Sequence, residues 1–261
     1  MTGATSQNFA GRRVLVTGAA TGIGRATAEH LVADGAQVFG IGLDADAGRE
    51  LGDDYARRDL PLMFHPADVS FENEVRSAVA AAVAAFGGLD GVVNCAGVYP
   101  TGKRLEDLTD SEWDRTVAVN LTSVFRVCRA TLPLLRAAGG GSIVNIASVH
   151  ALASVPGVPA YAATKAAVLG LSRQMALDYA VDRIRVNALI VGSVATRMTL
   201  DGLEAASGAE AIGLSFEANR IARIANPLEI AAAIAFLLSG AASFVTGSGF
   251  VADGGLTARL L

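Results

Sequence analysis

A serine, a tyrosine and a lysine lie within one stretch of the sequence, residues 148–165, at a spacing suited to proton transfer. Ser148 ends an apolar run that predicts a buried strand, and Tyr161 and Lys165 are four positions apart in a predicted helix, where they share one face. A phenol has a reference pKa of about 10, and a nearby ammonium lowers that pKa because it favours the phenolate. These groups predict a general acid/base for an alcohol or a carbonyl. The structural alternative is a packed tyrosine ring beside a solvated lysine.

A glycine-rich turn near the N-terminus predicts a binding site for a dinucleotide. A short strand pattern, residues 14–16, is followed by Gly18, Gly22 and Gly24, and an amphipathic helix pattern runs from residue 22 to residue 34. Gly18 permits a tight turn, Gly22 lets the backbone approach a pyrophosphate, and Gly24 allows close packing of the helix on the strand. The free N–H groups and the positive end of the helix would then face the phosphates. A purely structural glycine turn is the alternative.

The second predicted strand, residues 37–43, ends beside an acidic residue that indicates which dinucleotide binds. Asp44 lies 20 positions after Gly24, the spacing at which a carboxylate binds the adenosine ribose hydroxyls. No lysine or arginine follows Asp44 in the sequence before Arg49. A 2′-phosphate would lack an obvious cation there, so the sequence favours NAD as the cofactor and does not exclude NADP.

Strand patterns alternate with helix patterns along the chain, which predicts a single α/β domain. Further strands are predicted at residues 62–64, 89–93, 142–147, 184–191 and 250–251, and further helices at residues 71–86, 109–135, from residue 160 and at residues 227–239. This order predicts a parallel sheet with helices on both faces. Residues 1–8 are predicted to form a flexible tail before a domain at residues 9–261, and the poorly periodic residues 193–222 are predicted to form a substrate lid.

An asparagine within the predicted helix at residues 109–135 is a further polar candidate. Thr109 and Glu112 form a capping-box pattern at the start of this helix. Asn120 follows among apolar residues, where an amide is costly unless it is paired. The asparagine is therefore either a cap or kink residue or an amide that holds a water molecule.

Composition argues against several classes of function. The chain of 261 residues has a formal net charge of −4 and no run of lysine and arginine, which argues against nucleic acid as a partner. No apolar run reaches the ~20 residues of a membrane span, and the N-terminus lacks a signal-peptide pattern. Cys95 and Cys128 have no CxxC spacing and the histidines have no metal-ligand spacing. We therefore expect buried free thiols, no metal, no membrane partner and a cytoplasmic location.

With these residues in view, the chain resembles the short-chain dehydrogenase/reductase family over residues 9–256. The matching motifs occur in the family's order: the glycine turn from Thr17 to Gly24, Asp68, Asn94-Cys95-Ala96-Gly97, Asn120, Ser148 and Tyr161-x-x-x-Lys165. The resemblance implies a doubly wound Rossmann fold with a mostly parallel seven-stranded sheet. It also implies an NAD(P)-dependent oxidoreductase that acts on CH–OH groups, and a homotetramer formed through the helices after Asn120 and from Tyr161.

The resemblance further implies a role for each matching residue. Tyr161 would be the acid/base, Lys165 would lower the pKa of Tyr161 and hold the nicotinamide ribose, and Ser148 would orient the substrate oxygen. Asn120 would hold a water in a proton relay to Lys165. Cofactor contacts would come from Gly18, Thr21, Gly22, Ile23, Gly24, Asp68, Val69, Asn94, Ala96, Gly97, Tyr161, Lys165, Val194 and Thr196.

Three positions depart from the family's pattern. Val191-Gly192 stands where the family often has Pro-Gly, at the hinge of the predicted lid. Cys95 replaces the usual second asparagine before Ala-Gly. Gly42 occupies the position at which NAD-dependent members usually carry the ribose-binding acid, and Asp44 lies two positions later.

The substrate pocket is predicted to be formed by residues that follow the strand ends and by the lid. These candidates are Tyr99, His150, Val155, Val191 and Met198, together with Ser148 and Tyr161. The Ser148-x-His150 pattern resembles that of 3-hydroxybutyrate dehydrogenases, in which the histidine contacts substrate, although the carboxylate-binding side chains of those enzymes have no clear counterpart here. Histidine and tyrosine donors favour a small hydroxylated substrate such as a sugar, a polyol or a hydroxy-ketone.

The sequence therefore leaves three functions open. The first is an NAD-dependent dehydrogenase of a secondary alcohol. The second is an NADPH-dependent carbonyl reductase of the 3-oxoacyl or ketosteroid type, which an apolar lid would suit. The third is a catalytically silent dinucleotide-binding sensor, against which the complete set of Asn120, Ser148, Tyr161 and Lys165 argues.

Overall fold

Seven strands of the protein form one parallel sheet. The computed structural model describes residues 9–205, 214–217 and 219–258. The strands are β1 Arg13–Thr17, β2 Gln37–Gly42, β3 Leu62–Pro66, β4 Gly91–Asn94, β5 Gly141–Ser148, β6 Ile184–Val191 and β7 Gly249–Ala252. Their order in the sheet is β3-β2-β1-β4-β5-β6-β7, and every neighbouring pair is parallel. The predicted parallel α/β sheet is confirmed.

Helices cover both faces of the sheet, as predicted. They are α1 Gly22–Ala33, α2 Ala45–Arg57, α3 Glu72–Phe86, α4 Asp110–Val117, α5 Ser123–Ala137, α6 Pro159–Asp178, α7 Arg197–Ala205 and α8 Pro227–Leu238. Val14 of β1 packs in one apolar cluster with Leu31 of α1, whereas its neighbour Leu15 packs in a second cluster with Val168 of α6. Alternate residues of a strand point to opposite faces, so the two clusters lie on opposite sides of the sheet.

The strand order reverses between β1 and β4, and this reversal determines where a ligand can bind. β1 pairs with β2 on one side and with β4 on the other, so the connections after β1 and after β4 diverge. In an open parallel sheet, such a divergence leaves a crevice outside the carboxyl ends of the strands. The glycine turn follows β1, and Ser148 is the last residue of β5. The fold therefore brings both candidate sites to the same edge of the sheet.

The element boundaries agree with the sequence predictions to within a few residues, except around the asparagine and at α2, a helix that the sequence analysis does not predict. The predicted helix at residues 109–135 is divided into α4, a π-helical turn at Ala118–Thr122, and α5. The capping box of Thr109 and Glu112 is confirmed, because each side chain accepts the other's backbone N–H. Residues 1–8, and residues 206–213 and 218 of the predicted lid, lie outside the described residues. The single domain, the tail and the lid stay predictions.

Membrane-spanning helices and metal sites are both absent from the described part of the chain. No helix there is long and apolar enough to cross a membrane. No group of three or more histidine, cysteine, aspartate or glutamate side chains in those same ranges is arranged to hold a metal ion. Cys128 is buried and Cys95 partly so, and burial raises the pKa of each thiol to about 12.

Candidate active site

The glycine turn after β1 brings backbone very close to backbone. Gly18 has φ = +69° and Gly22 has φ = +55°, a region that side-chain-bearing residues rarely adopt. A Cβ placed on Gly18 would lie 3.0 Å from the Cα and N of Ala96, and one placed on Gly24 would lie 2.2 Å from the carbonyl oxygen of Gly18. The turn is therefore packed against both α1 and the end of β4, and only glycine fits there.

The amino end of α1 is open to an anion. Thr21 occupies the N-cap position, yet no side chain of the described residues accepts a hydrogen bond from the first turn as a cap, and that turn contains no acidic residue. The first N–H groups of a helix lack partners within the helix, and its dipole attracts negative charge. Gly22 and Gly24 leave the approach to these groups free of side chains. This arrangement fits a pyrophosphate.

A buried hydroxyl ties the end of β1 to the end of β4. Thr17 Oγ1 accepts the backbone N–H groups of Cys95 and Ala96 at 3.0 and 3.1 Å. Beneath them, the Asn94 amide donates to Asn145 Oδ1 at 2.8 Å, and the Asn145 amide donates to the hydroxyl of Ser172 on α6 at 2.9 Å. The side chains of Asn94 and Asn145 therefore link β4 to β5 and β5 to α6.

Most of the predicted site residues line one cavity of about 460 Å³. Those in its lining are Gly18, Thr21, Gly22, Ile23, Gly24, Ala96, Gly97, Tyr99, Ser148, His150, Tyr161, Lys165, Val194 and Thr196. Five predicted residues lie outside this lining: Asp44, Asp68, Val69, Asn94 and Asn120. The cavity thus joins the glycine turn to the proposed proton-transfer groups, and its size suits a bound small molecule.

Burial dominates the electrostatic environment of the candidate acid/base. Burial raises the pKa of Tyr161 to about 12, and the hydrogen bond with Ser148 acts in the opposite direction. Burial lowers the pKa of Lys165 to about 8, and its ammonium donates to the carbonyl of Ile146 at 2.8 Å. Lys165 Nζ lies 5.6 Å from the centre of the Tyr161 ring. Burial is the largest cause of the shift in the pKa of Tyr161, and Lys165 is not among its causes. The lowering of the phenol pKa by Lys165 stays a prediction. At pH 7 the phenol is protonated.

Asn120 holds a loop of the site through its amide. Its Oδ1 accepts the N–H of Val98 at 2.8 Å, and its Nδ2 donates to the carbonyl of Val98 at 2.9 Å and to Thr164 Oγ1 at 3.4 Å. Both amide hydrogens are thus used, so the amide is not free to donate to a water. Asn120 lies in the π-helical turn, an irregularity often found at functional sites. The interpretation of Asn120 as a kink residue is the one that these contacts favour.

Asn120→Ala should destabilise the protein because it leaves the N–H and carbonyl of Val98 without their partners. Two partly buried hydrogen bonds lost in this way cost about 1–3 kcal/mol of unfolding free energy. Denaturant titration measures this loss, and Gln174→Ala, which removes an exposed amide bonded to Asp178 on α6, serves as the control. The control should change the unfolding free energy by less than about 0.5 kcal/mol. Equal stabilities of the two variants would contradict the bridging role.

The adenosine end of the predicted site is built differently from the family's usual pattern. Asp44 is the N-cap of α2: its Oδ1 accepts the N–H of Ala47 at 3.0 Å, and the residue is exposed. A Cβ on Gly42 would lie 3.2 Å from the ring of Phe64, and one on Gly48 would lie 2.0 Å from the same ring. Phe64 thus fills the space beside the end of β2. No local pattern predicts this packing, because Phe64 resembles any apolar strand residue.

The predicted adenine contacts are held by an ion pair. Asp68 Oδ1 accepts the N–H of Ser70 at 2.8 Å, and Oδ2 accepts from Arg115 at 3.2 Å. Burial alone would raise the pKa of Asp68, but the hydrogen bonds from Ser70 and Arg115 outweigh it and hold the pKa below its usual value. Asp68 is therefore ionised at neutral pH, and Val69 beside it is buried.

Known proteins with similar sequences decide the family. A family model described as enoyl-(acyl carrier protein) reductase matches residues 18–257. The 2,5-dichloro-2,5-cyclohexadiene-1,4-diol dehydrogenase of Sphingobium indicum is 38% identical over 252 residues, which cover 96% of this chain and 99% of the relative. This chain belongs to the short-chain dehydrogenase/reductase family. The resemblance found in the sequence is confirmed.

Other members of the short-chain dehydrogenase/reductase family agree over nearly the full length. The cyclopentanol dehydrogenase of a Comamonas strain is 38% identical over 246 residues, covering 94% of this chain and 97% of the relative. A crystal structure of levodione reductase matches with a TM-score of 0.90 at 33% identity, over 97% of this chain and 100% of that one. The protein is an NAD(P)-dependent oxidoreductase that acts on CH–OH groups and interconverts a secondary alcohol and a ketone.

Proposed function

We propose that this protein is an NAD-preferring dehydrogenase of small cyclic secondary alcohols, with Tyr161 as the acid/base. One observation carries the proposal: Ser148, Tyr161 and Lys165 line the same cavity as the glycine turn. The relatives support the substrate class, because their names include a cyclohexadienediol dehydrogenase and a cyclopentanol dehydrogenase. The remaining lining supports it as well, since Val155, Val158, Met198 and Leu214 offer an apolar surface to a small ring.

The residues of the cavity divide into those that hold the cofactor and those that handle the proton. The glycine turn and the open end of α1 would hold the pyrophosphate, and Val194 and Thr196 would contact the nicotinamide end. A bound nicotinamide dinucleotide supplies or accepts the hydride. In reduction, the protonated phenol of Tyr161 donates its proton to the carbonyl oxygen of the substrate, which the hydroxyl of Ser148 orients. In oxidation, Tyr161 takes the alcohol proton instead.

Lys165 would support both directions by its charge. At pH 7 its ammonium is protonated, because its pKa of about 8 still lies above that pH. A cation in the same desolvated cavity stabilises a phenolate more strongly than it would in water. The residue would thereby lower the cost of deprotonating Tyr161 when an alcohol is oxidised. Its side chain also reaches the carbonyl of Ile146, which fixes the ammonium near the end of β5.

A substrate screen tests the function directly. Cyclopentanol, cyclohexanol and cyclohexane-1,4-diol would be offered with NAD⁺, and acetoacetyl thioesters with NADPH, while the absorbance of the reduced nicotinamide is followed. We expect turnover of the cyclic alcohols at kcat/KM values at least about 10⁴ M⁻¹s⁻¹, within the usual range for enzymes. Turnover of the thioester alone would instead assign the 3-oxoacyl reductase function.

NAD preference is proposed because Asp44 can serve the ribose while it caps α2. Its Oδ1 is used by Ala47, so Oδ2 can accept a ribose hydroxyl, and its charge repels a 2′-phosphate. Asp44→Asn keeps an efficient N-cap and removes the charge. We expect the ratio of kcat/KM for NAD to that for NADP to fall by about tenfold, which corresponds to one charge interaction of about 1.4 kcal/mol.

The neighbouring acid provides the control for this variant. Asp46 lies in the first turn of α2 and pairs with Arg49 on the same helix. Asp46→Asn removes an equal charge from the same helix end, so it should leave the cofactor ratio within about twofold, as expected for a screened surface charge. A ratio that is unchanged in Asp44→Asn, or changed equally in both variants, would contradict the role of Asp44.

We also propose the homotetramer and the cytoplasmic location that the sequence implies. Exposed apolar side chains on the helices concerned support an interface: Phe125 on α5 and Leu177 on α6 are 47% and 74% exposed. The free cysteines are consistent with a reducing compartment.

A further inference from the structure

Three aromatic rings form one wall of the cavity beside the acid/base. The Tyr161 ring packs edge to face against Tyr99, with ring centres 4.6 Å apart, and against His150, with ring centres 5.6 Å apart. Tyr99 and His150 come from different loops, after β4 and after β5, and both line the cavity. Val155, Val158 and Met198 also line this cavity, so the phenol and the imidazole stand beside apolar side chains and can orient a polar group of a ligand.

A chain of hydrogen bonds links the rings of Tyr99 and His150 to Ser154, which lies between β5 and α6. Tyr99 Oη lies 3.3 Å from His150 Nε2, and His150 Nδ1 lies 3.2 Å from Ser154 Oγ. Ser154 Oγ also donates to the carbonyl of Val155 at 3.4 Å. If the only hydrogen of this hydroxyl is used in that bond, its oxygen can only accept from Nδ1–H of His150. The imidazole is then the Nδ1–H tautomer, and Nε2 accepts from Tyr99.

The direction of the hydrogen bond from Tyr99 to His150 determines which group of Tyr99 a ligand can bind. The hydroxyl hydrogen of Tyr99 is directed to His150, so the lone pairs of the Tyr99 oxygen are what remains for a ligand. Burial lowers the pKa of His150, which keeps the imidazole neutral and able to accept at neutral pH. The Tyr99 oxygen is therefore an oriented acceptor, suited to a hydroxyl group that donates, and less suited to a carbonyl, which cannot donate.

We infer that Tyr99, His150 and Ser154 form a subsite for a second hydroxyl group of the substrate, so that the preferred substrates are cyclic diols. The inference rests on the proposed function, since it places the reacting oxygen at Ser148 and Tyr161. The second hydroxyl donates to Tyr99 Oη. His150 accepts from Tyr99, and Ser154 is a positioning residue that selects the histidine tautomer. A cyclic alcohol with one hydroxyl leaves this acceptor unused.

Tyr99→Phe tests the subsite, because it removes one oxygen atom and keeps the ring that packs on Tyr161. The measurement is kcat/KM with NAD⁺ for cyclohexane-1,4-diol and for cyclohexanol. For the diol we expect a loss of about five- to tenfold, the effect of one neutral hydrogen bond. For cyclohexanol we expect a smaller loss, so that the ratio of kcat/KM for the diol to that for cyclohexanol falls. Tyr179→Phe, at the end of α6, is the matched control and should change neither value.

Ser154→Ala provides a second test, in which the measured quantity is a substrate preference. A general loss of folded enzyme would lower all activities equally and would leave this preference unchanged. Without the serine acceptor, the imidazole is free to adopt the Nε2–H tautomer, in which it donates to the Tyr99 oxygen and frees the Tyr99 hydrogen to donate. We therefore expect the preference for 4-hydroxycyclohexanone over cyclohexane-1,4-dione, both reduced with NADH, to fall. A second carbonyl can accept from the freed Tyr99 hydrogen, whereas a second hydroxyl bonds Tyr99 in either direction. An unchanged preference in Ser154→Ala would overturn the positioning role.

The outcomes separate the subsite from the function on which it rests. Turnover of both alcohols by the wild type, with equal losses or no losses in Tyr99→Phe, overturns the subsite and leaves the cyclic-alcohol dehydrogenase standing. A wild-type enzyme that oxidises no cyclic alcohol overturns both. A diol-selective loss in Tyr99→Phe, together with an inert Tyr179→Phe, supports both.

Discussion

Tyr161→Phe should lower kcat by about 10³-fold or more, because the substitution removes the group that exchanges a proton with the substrate oxygen. The phenylalanine ring can keep the edge-to-face contacts with Tyr99 and His150, so the cavity wall should remain in place. The glycine turn and α1 are not touched by the change. Nucleotide affinity should therefore stay within about threefold, a difference of less than 1 kcal/mol. Steady-state kinetics measure kcat, and a fluorescence titration with NADH measures nucleotide affinity.

Burial of the Tyr161 phenol also has a consequence for carbonyl reduction. A phenol whose pKa is raised by burial is protonated at neutral pH, so wild-type carbonyl reduction should need no prior proton uptake by Tyr161. Tyr179→Phe removes a phenol at the far end of α6 and should retain full kcat. Residual activity of Tyr161→Phe within tenfold of the wild type would assign the proton transfer to another group and would contradict the mechanism.

Gly24→Ala should weaken nucleotide binding by about 10²-fold, as expected when binding groups are displaced by about 1 Å. The new Cβ would lie 2.2 Å from the carbonyl oxygen and 2.6 Å from the carbonyl carbon of Gly18, and 3.1 Å from the N of Ala19. All three atoms belong to the backbone, so no rotamer change can relieve the clash. Either α1 moves away from β1 or the turn distorts, and both displace the N–H groups that would face the pyrophosphate. The unfolding free energy should fall by about 1–3 kcal/mol.

Gly52→Ala is the matched control for the added methyl group. Gly52 lies within α2, and its Cβ would lie 3.7 Å from the Cβ of Phe64, an ordinary van der Waals contact. Alanine is the better helix former, so we expect a gain of about 0.5–1 kcal/mol in stability and no change in nucleotide affinity. Isothermal titration with NADH and denaturant unfolding measure both effects. Wild-type affinity in Gly24→Ala would show that the turn does not bind the pyrophosphate.

The elements and the main constellation of the site could be predicted because their signals are local. The spacing of Tyr161 and Lys165, the glycines around α1 and the apolar run ending at Ser148 each lie within a few residues along the chain. The parallel order of strands then brings those segments to one edge of the sheet. The alternation of strands and helices is sufficient for this step, since it does not depend on the exact side-chain packing.

The environment of these residues could not be predicted, because it depends on contacts between distant segments. The pKa of Tyr161 is raised by burial against Tyr99 and His150, which come from two other loops. The amide of Asn120 is used by the backbone of Val98, 22 positions away. The capping role of Asp44 is local, and its position just before a helix pattern is a signal that could have been used.

Phe64 makes the cofactor preference of this chain resistant to simple redesign. The ring lies across from Gly40 in the β2–β3 register and also contacts Gly42 and Gly48. The substitution Gly42→Asp, which restores the family's acid, would push a side chain against a ring that already fills the space beside Gly48. The first productive step on such a path is a smaller residue at position 64, and only then an acid at position 42. The two changes are epistatic, and a library that varies position 42 alone would miss the combination.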